Sequence, residues 1–412
     1  MGNEIGMLLP GPERYKAALR VLWAAVHRSE NFNSRRLKEE GYMHVGNLIA
    51  RWDDIPFTTK AELQADSAEN PPWGTVLTEP LGNYTRFCQT SGTSTGQPLA
   101  WLDTPKSWEA MLACWREVFS AAGLVKGVDR VFLAFSFGPF LGFWTAFDAA
   151  VRDYLVIPGG GLSSEARMAA ISRYGATALC CTPTYALHLG QLAKNTQHQI
   201  QKIIVAGEPG GSQPNVRKQI EELWGARVLD HHGMTEVGPV SFERLDRPGY
   251  LEVISDAYLT EVIDPQTLKP AEEGELVLTT LKRHTAPLIR YRTGDLVKVK
   301  IFEESICLEG GILARCDDMV VIRGVNVYPS AVDNLVRSIP AIEEYRVIVH
   351  KNRPMDELEI EIETTTGDPT PCDALEQKLK EVLNLRTSVK TVPHGTLPKY
   401  EFKSRRWVTN EN

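Results

Sequence analysis

Residues 202 to 209 read Lys202-Ile203-Ile204-Val205-Ala206-Gly207-Glu208-Pro209. The run of β-branched residues predicts a buried parallel strand, and the glycine and proline after it predict a turn at its carboxyl end. Further apolar runs at 130–134 and 176–180 alternate with helix-like segments at 107–122, 164–174 and 213–224. This alternation predicts βαβ units around a mostly parallel sheet, with ligands gathered at the carboxyl ends of the strands.

The second half of the chain has a different pattern. After residue 274, short apolar runs at 275–279 and 296–299 predict a small β subdomain. From about residue 317 the pattern changes to a helix, strands at 345–349 and 358–362, and an amphipathic helix at 373–385. The apolar stripes of the two helices are expected at Val332, Leu335, Val336 and Ile339, and at Leu375, Leu379, Val382 and Leu383. We therefore expect an α/β fold with a large layered N-terminal domain, residues 1–316, and a small mobile α+β C-terminal domain, residues 317–412.

A loop rich in hydroxyl groups precedes these elements. It reads Thr90-Ser91-Gly92-Thr93-Ser94-Thr95-Gly96-Gln97-Pro98. Glycines allow backbone N–H groups to point into one concavity, and serine and threonine add donors, so the loop is suited to a polyphosphate. It is not a Walker A motif, because three residues separate its glycines and no Gly-Lys-Ser/Thr follows. An ordinary surface turn is the alternative interpretation of such a run.

Five further blocks follow in order along the chain. They are residues 206–210, His231-His232-Gly233-Met234-Thr235-Glu236, Arg290-Tyr291-Arg292-Thr293-Gly294-Asp295, residues 315–329, and Leu397-Pro398-Lys399-Tyr400-Glu401-Phe402-Lys403. In this order and at these separations, the blocks resemble the adenylate-forming superfamily of acyl- and aryl-CoA ligases, and its phenylacetate-CoA ligase branch in particular. The resemblance extends from about residue 50 to the end.

The resemblance implies an enzyme that activates a small aromatic carboxylic acid with ATP and Mg²⁺, forms its acyl-adenylate, and passes the acyl group to coenzyme A. The loop from Ser91 to Gly96 would hold the β- and γ-phosphates. Glu236 would bind Mg²⁺ and Thr235 would donate to the α-phosphate. Asp295 would accept from both ribose hydroxyls, as acidic residues do in other nucleotide sites, although an aspartate after glycine is also a common turn residue. Further nucleotide contacts are implied for Ala206, Gly207, Glu208, Pro209, His231, His232, Gly233, Met234 and Arg315.

The C-terminal blocks would supply the mobile part of the mechanism. Lys403 would contact the substrate carboxylate and the α-phosphate as negative charge builds during adenylation. Lys399 is the alternative lysine, and the basic stretch around both could also be a solvated tail. Asp317 would be the hinge about which the small domain turns between the two half-reactions. Arg323 and Gly324 would then face the pantetheine tunnel of coenzyme A, although a turn at a strand end is the alternative there.

The apolar stretch from 131 to 147 contains two glycines and a proline and is too short to span a bilayer. It predicts a strand, a loop and the start of a helix. In the resembling family this region lines the acyl pocket, so Phe137, Phe140 and Trp144 are candidates for holding a flat aromatic acid, with Gly238 and Pro239 beside them. Simple core packing is the alternative role for aromatic residues at this spacing.

The chain departs from the family's pattern in several places. The phosphate loop has three consecutive hydroxyl residues, Thr93-Ser94-Thr95, where two are usual, and Leu99 follows Pro98 where many members have lysine. His232 takes the place of a tyrosine that commonly stacks on adenine, and His231 is equally compatible with a structural role. Residues 237–294 contain no cysteine, so no structural zinc is expected between these blocks.

Composition favours a cytoplasmic enzyme. The 412 residues are 43% hydrophobic, which is enough to bury a large core. The net charge of -7, without any long basic stretch, argues against a nucleic-acid surface. Seven cysteines without CxxC spacing favour reduced thiols inside a cell. The first residues carry no secretory signal or myristoylation site, so neither export nor a membrane partner is expected.

Two other functions fit the same sequence. An adenylating enzyme could deliver the acyl group to the pantetheine of a carrier protein instead of free coenzyme A, and a comparison of the two acceptors would separate these cases. A ligand-binding protein without catalysis could also use the fold. The joint presence of Glu236, Asp295 and Lys403 argues against a non-catalytic protein. An absence of ATP–pyrophosphate exchange would favour that hypothesis.

Overall fold

A computed structural model describes residues 9–90, 98–135, 137–322, 325–351, 356–364, 369–398, 400 and 406–411. Its largest sheet belongs to the first three quarters of the chain, and a separate four-stranded sheet belongs to the last quarter. The helices are α1 (Lys16–Val26), α2 (Phe32–Glu39), α3 (Val45–Ala50), α4 (Lys60–Glu69), α5 (Pro105–Ala121), α6 (Leu141–Ala150), α7 (Ser164–Arg173), α8 (Pro183–Ala193), α9 (Pro214–Trp224), α10 (Pro329–Arg337) and α11 (Thr370–Leu383).

The strands alternate with helices in the first half and follow one another directly in the second. They are β1 (Arg86–Gln89), β2 (Ala100–Asp103), β3 (Arg130–Leu133), β4 (Leu155–Pro158), β5 (Ala178–Cys181), β6 (Lys202–Val205), β7 (Arg227–Met234), β8 (Gly238–Arg244), β9 (Arg247–Val253), β10 (Tyr258–Ile263), β11 (Glu273–Thr280), β12 (Tyr291–Phe302), β13 (Ser305–Glu309), β14 (Ala314–Arg315), β15 (Val320–Ile322), β16 (Val325–Val327), β17 (Ile342–Lys351), β18 (Glu357–Thr364), β19 (Ser388–Thr391) and β20 (Trp407–Glu411).

Strand β7 is the place where the large sheet changes from parallel to antiparallel. Strands β4, β3, β5, β6 and β7 lie side by side in that order and are parallel. Beyond β7, the strands β8, β9, β13, β12, β11 and β10 continue the sheet through antiparallel pairs. The first half of β7 pairs with β6 and its second half pairs with β8. Residues 231–234 therefore extend past the carboxyl end of β6, where ligands of α/β sheets gather.

Both faces of the inner parallel strands β3, β5 and β6 are covered by helices. Successive residues of a strand point to opposite faces, so Val131 and Leu133 of β3 pack in one core with α5 and α6. Phe132 packs on the other face with α7, α8 and α9. Burial on both faces explains why these strands read as continuous apolar runs. The α/β class expected from the sequence is confirmed.

Strands β3, β5 and β6 and helices α5, α7 and α9 lie where the alternating pattern predicts them. The runs after residue 274 also form strands, β11 and β12, but these strands belong to the large sheet. They join it because β13 pairs with β12 on one side and with β9 on the other. The sheet is consequently mixed, with its five parallel strands at one end. No helix within the described ranges is long and apolar enough to cross a membrane.

The C-terminal sheet has the order β19-β18-β17-β20 and packs against α10 and α11. The expected stripe of α10 is buried in this core, as are Leu375 and Leu379 of α11. The expectation for Val382 is wrong, because its side chain is 64% exposed. The chain reverses at Asn384, which has a φ of 50°, and Leu385 enters the core in its place. The large sheet's last strand ends at Arg315, and a domain boundary at 316/317 stays a prediction.

Gly274 of β11 offers a test of the close packing at the far edge of the large sheet. A Cβ at this residue would lie 2.1 Å from the carbonyl oxygen of Ile263 on β10. Because that atom is backbone, the strands must separate, and we expect Gly274→Ala to destabilise the fold by about 1 to 3 kcal/mol. Gly82→Ala is the control, since a Cβ there meets nothing within 4 Å. Thermal unfolding of both variants measures the difference, and equal midpoints would refute the close approach.

Candidate active site

The turn between β7 and β8 carries Thr235 and Glu236, and its backbone is tightly packed on both sides. Gly238 has a φ of 105°, and a Cβ there would lie 3.1 Å from the sulfur of Met111 and 3.3 Å from the hydroxyl of Tyr258. That hydroxyl lies within hydrogen-bond distance of the Val237 and Pro239 carbonyls, at 2.9 and 2.8 Å. Glycine is therefore required at residue 238 by both conformation and space.

Arg283 hydrogen-bonds to the backbone of the same turn. Its Nη1 donates to the carbonyl oxygens of Thr235 and Glu236 at 2.7 and 3.0 Å. Its Nε and Nη2 donate to the two carboxylate oxygens of Asp103 at 2.8 and 2.5 Å. Both side chains are almost fully buried, at 3% and 1% exposure. The sequence reasoning missed this pair, because neither residue belongs to a motif block.

The carboxylate of Glu236 is buried and lies between a cation and a phenol. Lys60 Nζ is 3.4 Å from Glu236 Oε1, and the Tyr291 hydroxyl donates to the same oxygen at 3.4 Å. Burial, together with the charge of Glu236, raises the pKa of Tyr291 well above its usual value. The phenol therefore keeps its proton and remains a donor to this carboxylate.

Lys60 was also missed by the sequence reasoning, although one signal was available. It is the first residue of α4, whose cap is Thr59, and Thr59 and Glu62 form a capping box. A cation is unfavourable at a helix N-terminus, where the helix dipole is positive. A lysine in that position is consequently a sign of a partner elsewhere, and here the partner is Glu236.

Asp295 is the centre of a chain of charged groups. One carboxylate oxygen lies 3.0 Å from His232 Nε2, and the other accepts from Arg315 Nη1 at 2.9 Å. Arg315 Nε donates in turn to Asp317 at 2.8 Å. Burial by itself raises the pKa of Asp295, but the His232 hydrogen bond and the Arg315 charge outweigh it and hold the pKa below its usual value. Asp295 is therefore an ionised acceptor at neutral pH.

The two adjacent histidines point in opposite directions, as neighbours on a strand do. The ring of His232 faces Asp295, and its Nδ1 is buried without a hydrogen-bond partner among the described residues. His231 Nδ1 lies 2.8 Å from the Ser241 carbonyl, and its ring packs 4.4 Å from that of Trp115. Burial lowers the pKa of His231 to about 3, so this imidazole is neutral. Its side chain is directed into the core.

Residues 206–209 follow the end of β6, as predicted. The Ala206 N–H donates to the carbonyl of Cys181 at the end of β5, at 3.1 Å. Gly207 has a φ of 93°, which turns the chain back over the strand end. Glu208 Oε1 accepts from the N–H of Thr184 at 2.8 Å, in the first turn of α8. The loop is thereby fixed beside the carboxyl ends of β5 and β6.

Aromatic rings between β3 and α6 form a partly buried group against the larger core. The rings of Phe137 and Trp144 are 4.9 Å apart, and those of Phe137 and Phe147 are 5.4 Å apart. Trp144 donates its indole N–H to the Gly138 carbonyl at 2.9 Å. Phe140 packs edge-on against Phe143 at 5.8 Å. The Pro139 carbonyl accepts from the Gln89 N–H at 2.7 Å, which joins this group to the stem of the hydroxyl-rich loop.

The loop residues Ser91 to Gly96, Arg323, Gly324, Lys399 and Lys403 lie outside the described residues. The two sides of the loop's stem are nevertheless defined. Thr90 N–H donates to the Leu99 carbonyl at 3.0 Å, and the Leu99 N–H donates to the Thr90 hydroxyl at 2.9 Å. Thr235 Oγ1 lies 3.5 Å from the Gln89 carbonyl. The stem of the loop and the Thr235–Glu236 turn are therefore neighbours.

The residues present fit a magnesium ion that arrives with its substrate. Within the described part of the chain, no group of three or more His, Cys, Asp or Glu side chains could hold a metal. Glu236 offers one buried carboxylate. Mg²⁺ is commonly bound by one or two carboxylates with the remaining positions taken by phosphate oxygens and water. A single glutamate therefore fits the usual protein contribution to a magnesium ion that is bound mainly by phosphate oxygens and water.

Two family models match this chain. The AMP-binding enzyme model covers residues 20–281, and the AMP-binding enzyme C-terminal domain model covers residues 324–410. The chain belongs to the AMP-binding enzyme family. This AMP-binding enzyme is 30% identical over 363 residues to phenylacetate-coenzyme A ligase of Thermus thermophilus, with 84% of this chain and 80% of that one covered. It is 29% identical over 414 residues to phenylacetate-coenzyme A ligase of Escherichia coli, with 94% and 92% covered. The phenylacetate-CoA ligase branch predicted from the motif series is confirmed, and the chain is an AMP-forming acyl- or aryl-CoA ligase.

Solved structures add information about the arrangement of this AMP-binding enzyme. A crystal structure of 2-hydroxyisobutyryl-CoA ligase in the postadenylation state, in complex with 2-HIB-AMP, is similar with a TM-score of 0.87 and 26% identity, covering 97% of this chain and 90% of that one. The same ligase in the thioesterification state, with 2-HIB-AMP and CoA, gives a TM-score of 0.70 with 98% and 91% covered. The present arrangement is thus closer to the postadenylation state.

The buried pair of Asp103 and Arg283 generates a prediction for this AMP-binding enzyme. Arg283→Met leaves the Asp103 carboxylate buried without its cation, which costs about 3 to 5 kcal/mol of stability. The Thr235 and Glu236 carbonyls also lose their donor, so activity should fall in the protein that remains folded. Arg244→Ala is the control, because its ion pair with Asp246 is exposed and worth less than about 1 kcal/mol. Thermal unfolding compares the two, and a small effect at Arg283 would refute its role.

Proposed function

We propose that this enzyme activates a small aromatic carboxylic acid as its acyl-adenylate at the Thr235–Glu236 turn and then transfers the acyl group to coenzyme A. The observation that carries the proposal is the contact between Thr235 and the Gln89 carbonyl, at 3.5 Å. It brings the turn that carries Glu236 next to the stem of the hydroxyl-rich loop. A triphosphate held by that loop would have its metal and its α-phosphate beside the turn.

In the first half-reaction a carboxylate oxygen of the acid attacks the α-phosphorus of ATP. The bond between the α-phosphorus and the bridging oxygen breaks, and pyrophosphate leaves. Mg²⁺, when bound, neutralises charge on the phosphate oxygens, and Glu236 is the residue proposed to hold it. Thr235 would donate to the α-phosphate, and Lys403 would stabilise the negative charge that develops there.

Lys60 is proposed to act on the phosphates as well. The family's usual lysine after the loop is replaced by Leu99 in this chain. Lys60 Nζ reaches the site from α4 and contacts Glu236 at 3.4 Å. The Lys60 side chain is 29% exposed to solvent, so its ammonium group can turn toward a ligand. A movable point charge of this kind suits a polyphosphate.

The nucleoside is assigned to the groups around Asp295. An ionised carboxylate can accept from both ribose hydroxyls, and Arg315 and His232 hold it from two sides. The His232 ring would take the place of the adenine-stacking tyrosine. A role for His231 is limited to its backbone, because its ring is buried against Trp115.

The acyl pocket is assigned to the aromatic group that includes Phe137, Phe140 and Trp144, and Gly238 and Pro239 are proposed as further members. These rings are partly exposed, and they connect to the loop stem through the Pro139 carbonyl. Flat rings in edge-to-face contact offer favourable geometry for another aromatic ring. The acid is accordingly proposed to be aromatic.

The second half-reaction is proposed to follow a rotation of the C-terminal domain at Asp317. The coenzyme A thiolate attacks the acyl carbon, and AMP leaves with the bonding electrons of the broken C–O bond. Arg323 and Gly324 would then border the pantetheine. Asp317 is bonded to Arg315 in the present arrangement, so rotation must release that ion pair. A cytoplasmic location stays a prediction.

A panel of acids tests the proposed function. Benzoate, phenylacetate, hydroxybenzoates, aminobenzoates and fatty acids are compared for AMP release with free coenzyme A and with a phosphopantetheinyl carrier protein. We expect an aromatic acid with free coenzyme A to react fastest, and Phe137→Ala to change the ranking of the acids, since loss of one ring contact alters discrimination by about 1 to 3 kcal/mol. Faster reaction with the carrier would replace the acceptor, and preference for a fatty acid would refute the pocket.

Variants of Glu236 and Lys60 test the proposed metal site and the proposed phosphate site independently. Glu236→Gln keeps the shape but removes the charge that Mg²⁺ requires, so the Mg²⁺ concentration for half-maximal pyrophosphate exchange should rise.

Lys60→Met should raise the KM for ATP by about tenfold or more, because a charge-assisted hydrogen bond contributes about 1.5 to 3 kcal/mol. Lys282→Met is the control, since Lys282 contacts the exposed Asp256. An unchanged KM in Lys60→Met would exclude it from the phosphate site.

A further inference from the structure

The segment that contains Lys403 lies in sequence between two strands of the C-terminal sheet. Strands β19 and β20 are consecutive in the chain, but they occupy opposite edges of the sheet β19-β18-β17-β20. Strand β19 ends and strand β20 begins at the same end of this sheet, because Thr391 pairs with Ile362 of β18 and the Arg406 carbonyl accepts from the Val347 N–H of β17. At that end, the last residues of β18 lie beside the first residues of β17.

Two carboxylates stand on those central strands, directly opposite each other. Glu344 of β17 and Glu363 of β18 are cross-strand partners. Glu363 is fully buried, at 0% exposure, and its Oε1 accepts from the N–H of Leu397. Its Oε2 has no hydrogen-bond partner among the described residues, and His394 Nδ1 lies 4.0 Å from it. A carboxylate buried in this way needs a specific reason to be there.

Glu344 binds Arg406, which follows Lys403 by three residues. Its two oxygens accept from Arg406 Nε at 2.5 Å and from Arg406 Nη2 at 3.0 Å. Arg406 is 6% exposed, and its carbonyl accepts from the Val347 N–H at 2.8 Å. Burial raises the pKa of Glu344, but the bond and charge of Arg406 outweigh it and lower the pKa overall. The guanidinium also lies over the rings of Tyr345 and Tyr400, at 5.1 and 5.5 Å.

We infer that Glu344 and Glu363 are positioning residues for adenylation, because they fix the two ends of the segment that contains Lys403. Leu397 precedes Lys403 in the chain and is hydrogen-bonded to Glu363. Arg406 follows Lys403 and is hydrogen-bonded to Glu344. The inference rests on the proposed role of Lys403. Neither glutamate touches a substrate, and both act through the lysine.

The physical reason for an anchor on each side of a lysine is conformational entropy. Each ordered residue costs conformational entropy, and a lysine side chain adds several rotatable bonds. A displacement of about 1 Å at a reacting centre can lower a rate by about 100-fold. In the proposed mechanism, bonds to Leu397 and Arg406 would limit the positions that Lys403 can reach.

Glu363→Met tests the anchor at Leu397. The substitution keeps the volume and removes the acceptor, so acid-dependent pyrophosphate exchange should fall at least tenfold through kcat, with little change in the KM for ATP. Thioester formation from synthetic acyl-adenylate and coenzyme A should stay within twofold of the wild type. Glu363→Gln retains a carbonyl acceptor for the Leu397 N–H and should recover most of the exchange. Glu344→Gln, which weakens the Arg406 pair, is expected to show the same loss confined to adenylation.

Glu361→Met is the matched control. Glu361 precedes Glu363 by two residues on β18 and is similarly buried, but its partners are Arg346 and Lys390. It should lower the unfolding temperature without separating the half-reactions. The inference is overturned if Glu363→Met and Glu344→Gln are folded and leave exchange unchanged, or if they slow both half-reactions as Glu361→Met does.

Lys403→Ala in the same assays keeps the inference distinct from the proposal on which it rests. If Lys403→Ala abolishes exchange while the glutamate variants do not affect it, Lys403 is catalytic and the anchors are not needed. If Lys403→Ala leaves exchange intact, the proposed role of the lysine is wrong, and the anchors lose their function with it.

Discussion

The buried ion pair of Asp103 and Arg283 fixes the turn that carries Thr235 and Glu236, where the chemistry is proposed to occur. Removing two charges from water is costly, and their attraction in the interior does little more than offset that cost. The contribution of this ion pair is to fix the position of the turn. A guanidinium presents five N–H donors in one plane, so Arg283 can bind the carboxylate along one side and still donate to the Thr235 and Glu236 carbonyls. The turn thereby keeps one backbone conformation before any ligand is bound.

The place of this turn follows from the sheet. Because β7 pairs first with β6 and then with β8, its last residues extend beyond the parallel strands and meet β12 through the contact of His232 with Asp295. The stem of the hydroxyl-rich loop reaches the same place at Gln89. One change of pairing along a single strand thus gathers groups from distant parts of the sequence. In the proposed mechanism Lys403 approaches from the C-terminal domain, and for that reason we infer separate anchors for it on the C-terminal sheet.

The sequence predicted the elements that have strong local patterns. Apolar runs bounded by turns identified β3, β5 and β6, and the ordered blocks identified the family. The strands predicted after residue 274 are present, and they continue the large sheet because β13 pairs with both β12 and β9, a pairing between distant segments that no local pattern contains. Val382 matched the helical period but lies where the chain turns back and Leu385 replaces it. Arg283, Asp103 and Lys60 act through partners far along the chain, and no local pattern contains such contacts.

The central claim is that adenylation occurs at one site on this chain without any thiol. Isotope exchange between pyrophosphate and ATP, measured with the purified enzyme and each aromatic acid in the absence of coenzyme A, tests it most directly. The account predicts exchange that requires both the acid and Mg²⁺ and that is lost in Asp295→Ala, because the nucleoside is proposed to bind that carboxylate. Exchange that needs coenzyme A, or that persists at the wild-type rate without Asp295, would contradict the account.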